Sequence, residues 1–169
     1  GGCAPRGRED VHETVRAKYR IWATTPEGHF PYVTGAEGAR ALGYGEDLLA
    51  AVPEPVLRRF AGVGNPYSVH RPAPGARVLD VGCGSGTDAF VAAHLVGPQG
   101  AVLGLDLTEE MLDAPREALD ASPVPWLSFV EGAARTRPVV VVLSDLHWAD
   151  DAVLGLSGPL LDRASRRPF

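Results

Sequence analysis

Gly82, Gly84 and Gly86 stand at alternate positions in VLDVGCGSGTD, residues 78–88, and Asp80 lies two residues ahead of the first of them. Glycine turns tightly and leaves no Cβ between the backbone and a ligand laid across it, so this spacing suits a cradle for a nucleoside-type cofactor. Twenty residues beyond Gly86 stands Asp106, where a carboxylate can accept hydrogen bonds from both hydroxyls of a ribose. A dinucleotide loop is spaced G-x-G-x-x-G and turns a helix N-terminus toward pyrophosphate. Here the last glycine comes one residue earlier. The Asp80 carboxylate would repel a pyrophosphate, whereas it attracts an amino-acid ammonium. The chemistry that fits is S-adenosylmethionine rather than NAD.

Such a loop needs a buried strand to deliver it and a helix to carry the chain away. ARVLDVG, 76–82, is a short apolar run ending at glycine and predicts the strand; 87–96, small and apolar, predicts the helix, stopped at Gly97-Pro98. AVLGLDL, 101–107, predicts a second buried strand with Asp106 at its carboxyl end. Thr108 then offers a helix cap with Glu109 and Glu110 in the first turn, and Pro115 predicts that this helix ends or kinks. WLSFV, 126–130, and PVVVVLSDL, 138–146, are third and fourth strand candidates. Alternation of strands and helices at this spacing predicts a Rossmann-like parallel α/β sheet with flanking helices. About four strands are accounted for.

Upstream, 9–20 carries Val11, Val15 and Tyr19 four apart, a helical stripe. The stretch 24–45, rich in Gly, Pro and Thr, reads as an ordered loop or short turns. Residues 46–60 read as helical, split in two by Pro53 and Pro55, and 62–66 as a turn. The expected organisation is a leader over 1–10, a helical extension or lid over 11–73, the cofactor-binding domain over 74–150 and a tail over 151–169. Tyr19, Trp22, Phe30 and Tyr32 are the aromatic residues that either close over the cofactor or pack against the sheet.

The chain has 169 residues, 45% of them apolar and 22% charged, which is the texture of a globular domain rather than a disordered one. No apolar run is long enough for a membrane span. A net charge of −5 argues against nucleic acid as the main partner. Two cysteines, Cys3 and Cys83, make neither a disulfide framework nor a zinc site, and the histidines show no ligand spacing, so no metal and a cytoplasmic setting are expected.

VLDVGCGSGTDAFVAAHLVGPQGAVLGLDLTEEML resembles the class I S-adenosylmethionine-dependent methyltransferases, and within them the arsenite-methyltransferase-like branch. AVPEPVLRRFAGVGNPYSV upstream has the look of the same branch, so the resemblance covers roughly 11–132. It implies transfer of a methyl group to a small-molecule acceptor, and a sheet of seven strands of which about four are accounted for, so a truncated domain is expected. It also implies that Asp80, Gly82, Gly84 and Gly86, with Cys83 among them, surround the methionine moiety, that Asp106 binds the ribose and that Leu107 lines the adenine. No residue is assigned a catalytic role, because proximity and alignment carry much of such a reaction. Two departures bear on the substrate. Val63-Gly64-Asn65-Pro66 stands where the branch often reads C-G-N-P, and thiolates for a soft metalloid are lacking, so arsenite is not the expected acceptor. The branch's acid near Ala133, which meets the adenine amino group, is also missing, which predicts weakened cofactor affinity.

PVVVVLSDLHWADD, 138–151, resembles the Walker B region of regulator ATPases, with Ser144 in place of its first acid and Asp145 retained. No G-x-x-x-x-G-K-[ST] string accompanies it, so ATP hydrolysis is not expected. A non-catalytic nucleoside-binding fragment and an ATPase or transcriptional-regulator fragment are the rival readings.

Overall fold

The computed structural model describes residue 17, residues 19–21 and residues 31–132. The expected leader, most of the 9–20 helix, Trp22, Phe30, the fourth strand candidate with its Walker B resemblance, and the tail lie outside the described residues.

Residues 17 and 19–21 are helical, and after them come three short helices: α1 (Gly35–Ala41), α2 (Glu46–Leu49) and α3 (Glu54–Leu57). The split at Pro53 and Pro55 is as expected, since Pro53 precedes the first turn of α3 and Pro55 falls inside that turn, where a missing N–H is harmless. Helix α1 corrects the reading of 24–45 as loop or turns. It buries only Gly38 and Ala39, and a Cβ on Gly38 would lie 2.3 Å from the Val33 carbonyl oxygen. The glycine that looked like a breaker is what allows that close approach. At the predicted turn, the Asn65 side chain accepts from the Tyr67 N–H at 3.0 Å and starts a single 3₁₀ turn, Pro66–Ser68.

The sheet follows: β1 (Arg77–Val81), α4 (Thr87–Val96), β2 (Ala101–Asp106), α5 (Glu109–Ala121) and β3 (Leu127–Glu131). The strands run in the order β1-β2-β3, all parallel, with Asp80 opposite Gly104 and Asp106 opposite Glu131. Parallel neighbours need a crossover between them, which α4 and α5 supply. Helix α4 is buried nearly all round, from Thr87 to Val96, because β1 and β2 lie on one side of it and α2 also packs on it. Helix α5 buries Met111, Leu112, Ala114 and Pro115 and leaves Asp113, Glu117 and Asp120 exposed.

Two local expectations are met in part. Helix α5 runs through Pro115 without ending; the missing hydrogen bond is offset because Pro115 is among the most deeply buried side chains. Thr108 has the extended backbone of a cap, but its side chain makes no capping bond. Its N–H donates instead to Oδ1 of Asp106 at 2.9 Å. No helix among the described residues is long and apolar enough to cross a membrane.

Candidate functional site

The carboxyl ends of β1 and β2 lie side by side, and the glycine loop passes between them. Its start is strapped to β2: the N–H groups of Gly82 and Cys83 both donate to the Leu105 carbonyl, at 2.7 and 3.1 Å. The Gly86 N–H closes the turn onto the Cys83 carbonyl at 2.8 Å, and Gly86 (φ +88°) is the left-handed residue from which α4 departs. Gly82 also has a positive φ, +79°, and nothing stands within 4 Å of where its Cβ would be. That leaves open space beside the loop, at the position where the glycine spacing predicts a cradle.

Asp106 is half-buried and joins the two strand ends. Its Oδ2 accepts from the Gly84 N–H at 2.8 Å and its Oδ1 from the Thr108 N–H at 2.9 Å. A carboxylate offers about four acceptor positions, so two remain for a ligand. Leu107 follows directly, half-buried. Cys83 is buried, and its sulfur lies 3.0 Å from where a Cβ on Gly104 would sit. Burial and the nearby carboxylates of Asp80 and Asp106 push its thiol far up, so it is a packed thiol, not a thiolate.

Asp80 is the electrostatically unbalanced residue of the group. One of its oxygens, Oδ2, is sealed from solvent with no hydrogen-bond partner, as is the Thr87 hydroxyl at the start of α4. Burial first, then the charges of Asp88 and Asp106, raise the Asp80 carboxyl to about 7. Among the described residues the ion pairs are Arg20–Glu110, Arg40–Glu46, Arg71–Asp47 and Arg116–Glu109, and none reaches these three acids. Three carboxylates around an open glycine turn, with an orphaned oxygen among them, suit a cationic ligand.

Residues without a role in the sequence reading complete the site. The Tyr44 hydroxyl donates to Oδ1 of Asp88, and the Tyr67 hydroxyl to the Asp88 carbonyl, both at 2.5 Å. The Ser85 hydroxyl donates to the Val56 carbonyl at 3.2 Å. The amino-terminal helices are thereby bolted to the loop and to the first turn of α4. Asp88 was visible in the motif; Tyr44 stands 44 residues away from it, beyond any spacing rule. Of the aromatic residues for which a lid or simple packing was open, Tyr19 packs against Met111. Tyr32 donates to the Ala61 carbonyl at 3.1 Å.

Comparison with known proteins meets this geometry. The methyltransferase-domain family matches residues 72–139, the stretch that carries the loop and both strand ends. The arsenite methyltransferase of Halobacterium salinarum is 35% identical over 150 residues, covering 80% of this chain and 38% of that protein. A tRNA (guanine(6)-N2)-methyltransferase of Thermus thermophilus is 46% identical over 65 residues, 38% of this chain and 19% of that protein. Among solved structures, an arsenic(III) S-adenosylmethionine methyltransferase from Chlamydomonas reinhardtii is 36% identical, with a TM-score of 0.45 over 60% of this chain and 33% of that one. The chain thus spans less than half the length of these relatives. Residues 72–139 match the methyltransferase-domain family, and the longer alignment is similar to arsenite methyltransferases.

Proposed function

We propose that this chain binds S-adenosylmethionine over the glycine loop and directs its methyl group to a small-molecule acceptor. The reading is carried by the convergence, at one end of β1 and β2, of an open glycine turn with two carboxylates, Asp80 bearing an orphaned oxygen and Asp106 keeping free acceptor positions. When bound, S-adenosylmethionine supplies an electrophilic methyl group on a sulfonium. The chain's own residues do the holding. Asp80 faces the amino-acid ammonium, Gly82 and Gly84 let the backbone approach, Asp106 takes the ribose hydroxyls and Leu107 lies along the adenine. Cys83 contributes its backbone, since its thiol is turned into the sheet against Gly104.

A small molecule, rather than nucleic acid, is the acceptor this reading favours, because the chain is acidic, at −5. Arsenite is disfavoured within it: Val63 replaces a thiol in the turn, and Cys83 is buried and protonated. A cytoplasmic setting suits a free cysteine.

Asp106→Ala is the test. It removes the ribose acceptor together with two backbone hydrogen bonds. Calorimetry with S-adenosylmethionine is expected to show affinity at least about 100-fold weaker, the loss of two charge-assisted hydrogen bonds. Asp106→Asn should fall between, because one acceptor oxygen survives. Wild-type affinity for NAD(H) with none for S-adenosylmethionine overturns the reading.

A further inference from the structure

The glycine loop has an open front and a covered back. Gly82 is exposed, whereas Ser85, Gly86 and Thr87 are buried. Gly82, Gly84 and Gly86 all have positive φ. Glycine keeps more backbone freedom than any other residue, so a loop built on three of them holds one shape only where other groups fix it. The front is fixed from the sheet: the Leu105 carbonyl takes the N–H groups of Gly82 and Cys83, and Asp106 takes that of Gly84. The back is fixed from the amino-terminal segment. The Ser85 hydroxyl donates to the Val56 carbonyl of α3 at 3.2 Å, the Tyr44 hydroxyl to Oδ1 of Asp88 at 2.5 Å, and the Tyr67 hydroxyl to the Asp88 carbonyl at 2.5 Å. None of these three bonds involves a group assigned above to the cofactor.

The anchors behind the loop move as one body. Tyr44, Val56, Phe60 and Tyr67 are buried in the same hydrophobic core. Phe60 and Tyr67 meet the Tyr44 ring edge-on, at centroid distances of 5.5 and 6.2 Å, and the Gly64 carbonyl stands 3.3 Å from its hydroxyl. Rings held in this way aim their hydroxyls with little rotamer entropy left to lose. We propose that residues 35–69 form the back wall of the cofactor loop, with Tyr44, Tyr67 and Ser85 as positioning residues that keep Ser85–Asp88 in the shape the cofactor meets. The proposal rests on the cofactor reading above and extends it: part of the affinity is set by side chains that do not touch the ligand. Seating of the wall and occupancy of the loop favour the same loop shape, so the two are coupled. Apparent affinity then falls with the fraction of chains whose loop stays competent.

The test combines Ser85→Ala with Tyr44→Phe in the full chain, which keeps the ring and removes two of the three donors. Ser85→Ala alone is the milder variant, and it leaves no orphan behind, because the Val56 carbonyl also accepts from the Arg59 N–H at 3.0 Å. Val102→Ala is the control. Val102 is buried near the amino end of β2, paired with Val78 and Leu127 and away from the loop, so its truncation costs stability without touching either end of the loop. Two quantities are measured where all the proteins are fully folded: backbone amide order parameters without ligand, and affinity for S-adenosylhomocysteine by calorimetry. Wild type and Val102→Ala are expected to show order parameters near about 0.85 from Gly82 to Asp88. In the double variant those of Ser85 and Gly86 should fall toward about 0.6, while Gly82 and Cys83 stay near about 0.85 because Leu105 still holds them. Affinity should fall at least about tenfold in the double variant and roughly threefold to tenfold in Ser85→Ala, and should stay within about twofold of wild type in Val102→Ala. If the double variant does not fold, Ser85→Ala decides by the same two readings. Binding as tight as wild type, a loss no larger than the control's, or a loop that loosens evenly from Gly82 onward overturns the proposal and leaves the cofactor reading standing. A wild-type chain that binds no S-adenosylhomocysteine defeats the cofactor reading and the proposal together.

Discussion

Asp80→Asn is expected to make the ligand-free chain more stable at pH 8 and, in the same protein, to weaken S-adenosylmethionine binding. An oxygen sealed from water without a partner disfavours the charged form of its carboxyl, and no ion pair among the described residues compensates it. The folded-state carboxyl sits at about 7 against 3.8 when free. Between those values the folded chain binds more protons than the unfolded one, so stability falls as pH rises through that window and the loss is complete above it. A displacement of that size sets a ceiling of about 4 kcal/mol. Because Asp80 as a whole keeps partial exposure, about 2 kcal/mol is the expected gain at pH 8, a rise of roughly 4–8 °C in Tm. The gain should vanish near pH 4, where the wild-type carboxyl is also neutral. Thermal melts of both proteins across pH 4–8 check this, and calorimetry checks the second half: the amide no longer attracts the ammonium, and affinity should drop about tenfold or more. A variant less stable than wild type at pH 8 would mean that Asp80 has a partner after all.

How far the site was legible depended on how local each signal was. The β1–loop–α4–β2 unit could be read because it is continuous: a buried strand, three glycines and an acid at the next strand end are each decided within a few residues. The structure brings Asp80, the loop and Asp106 together at adjacent strand ends, as parallel pairing of β1 with β2 requires. Helix α1 was not legible, because its buried face is Gly38 and Ala39, too small to form an apolar stripe. Pro115 left an end or a kink open, and the helix does not end there: the rule counts a lost hydrogen bond and is silent about burial. The Tyr44–Asp88 contact was out of reach altogether. It joins segments through tertiary packing of α2 on α4, and nothing in the spacing of GYGED announces a partner in SGTDA.

Two glycines of the same loop are expected to separate folding from binding when each is replaced by alanine. Both have positive φ, which opposes an L side chain by roughly 1–2 kcal/mol. Their surroundings differ. A Cβ on Gly86 would lie 2.8 Å from Cε1 of Phe129, 2.9 Å from its Cζ and 3.1 Å from Cβ of Pro115. Neither neighbour has room to yield, since the Phe129 ring packs on Phe90 at 5.8 Å and Pro115 is locked within α5. Overpacking there adds about 1–3 kcal/mol to the backbone strain. Gly86→Ala should therefore lower Tm by roughly 4–20 °C. Gly82→Ala meets no atom within 4 Å, so its Tm should fall by no more than about 2–8 °C, the backbone strain alone. Its methyl group, however, enters the space assigned to the methionine moiety, and affinity for S-adenosylmethionine should fall by at least about tenfold at a temperature where the variant is fully folded. Melting curves and calorimetry on the two variants give a crossed pattern: the larger stability loss in one, the larger binding loss in the other relative to its stability. If Gly82→Ala binds as tightly as wild type, the open space beside that residue is not where the cofactor lies, and the ligand must approach from the side of Asp106.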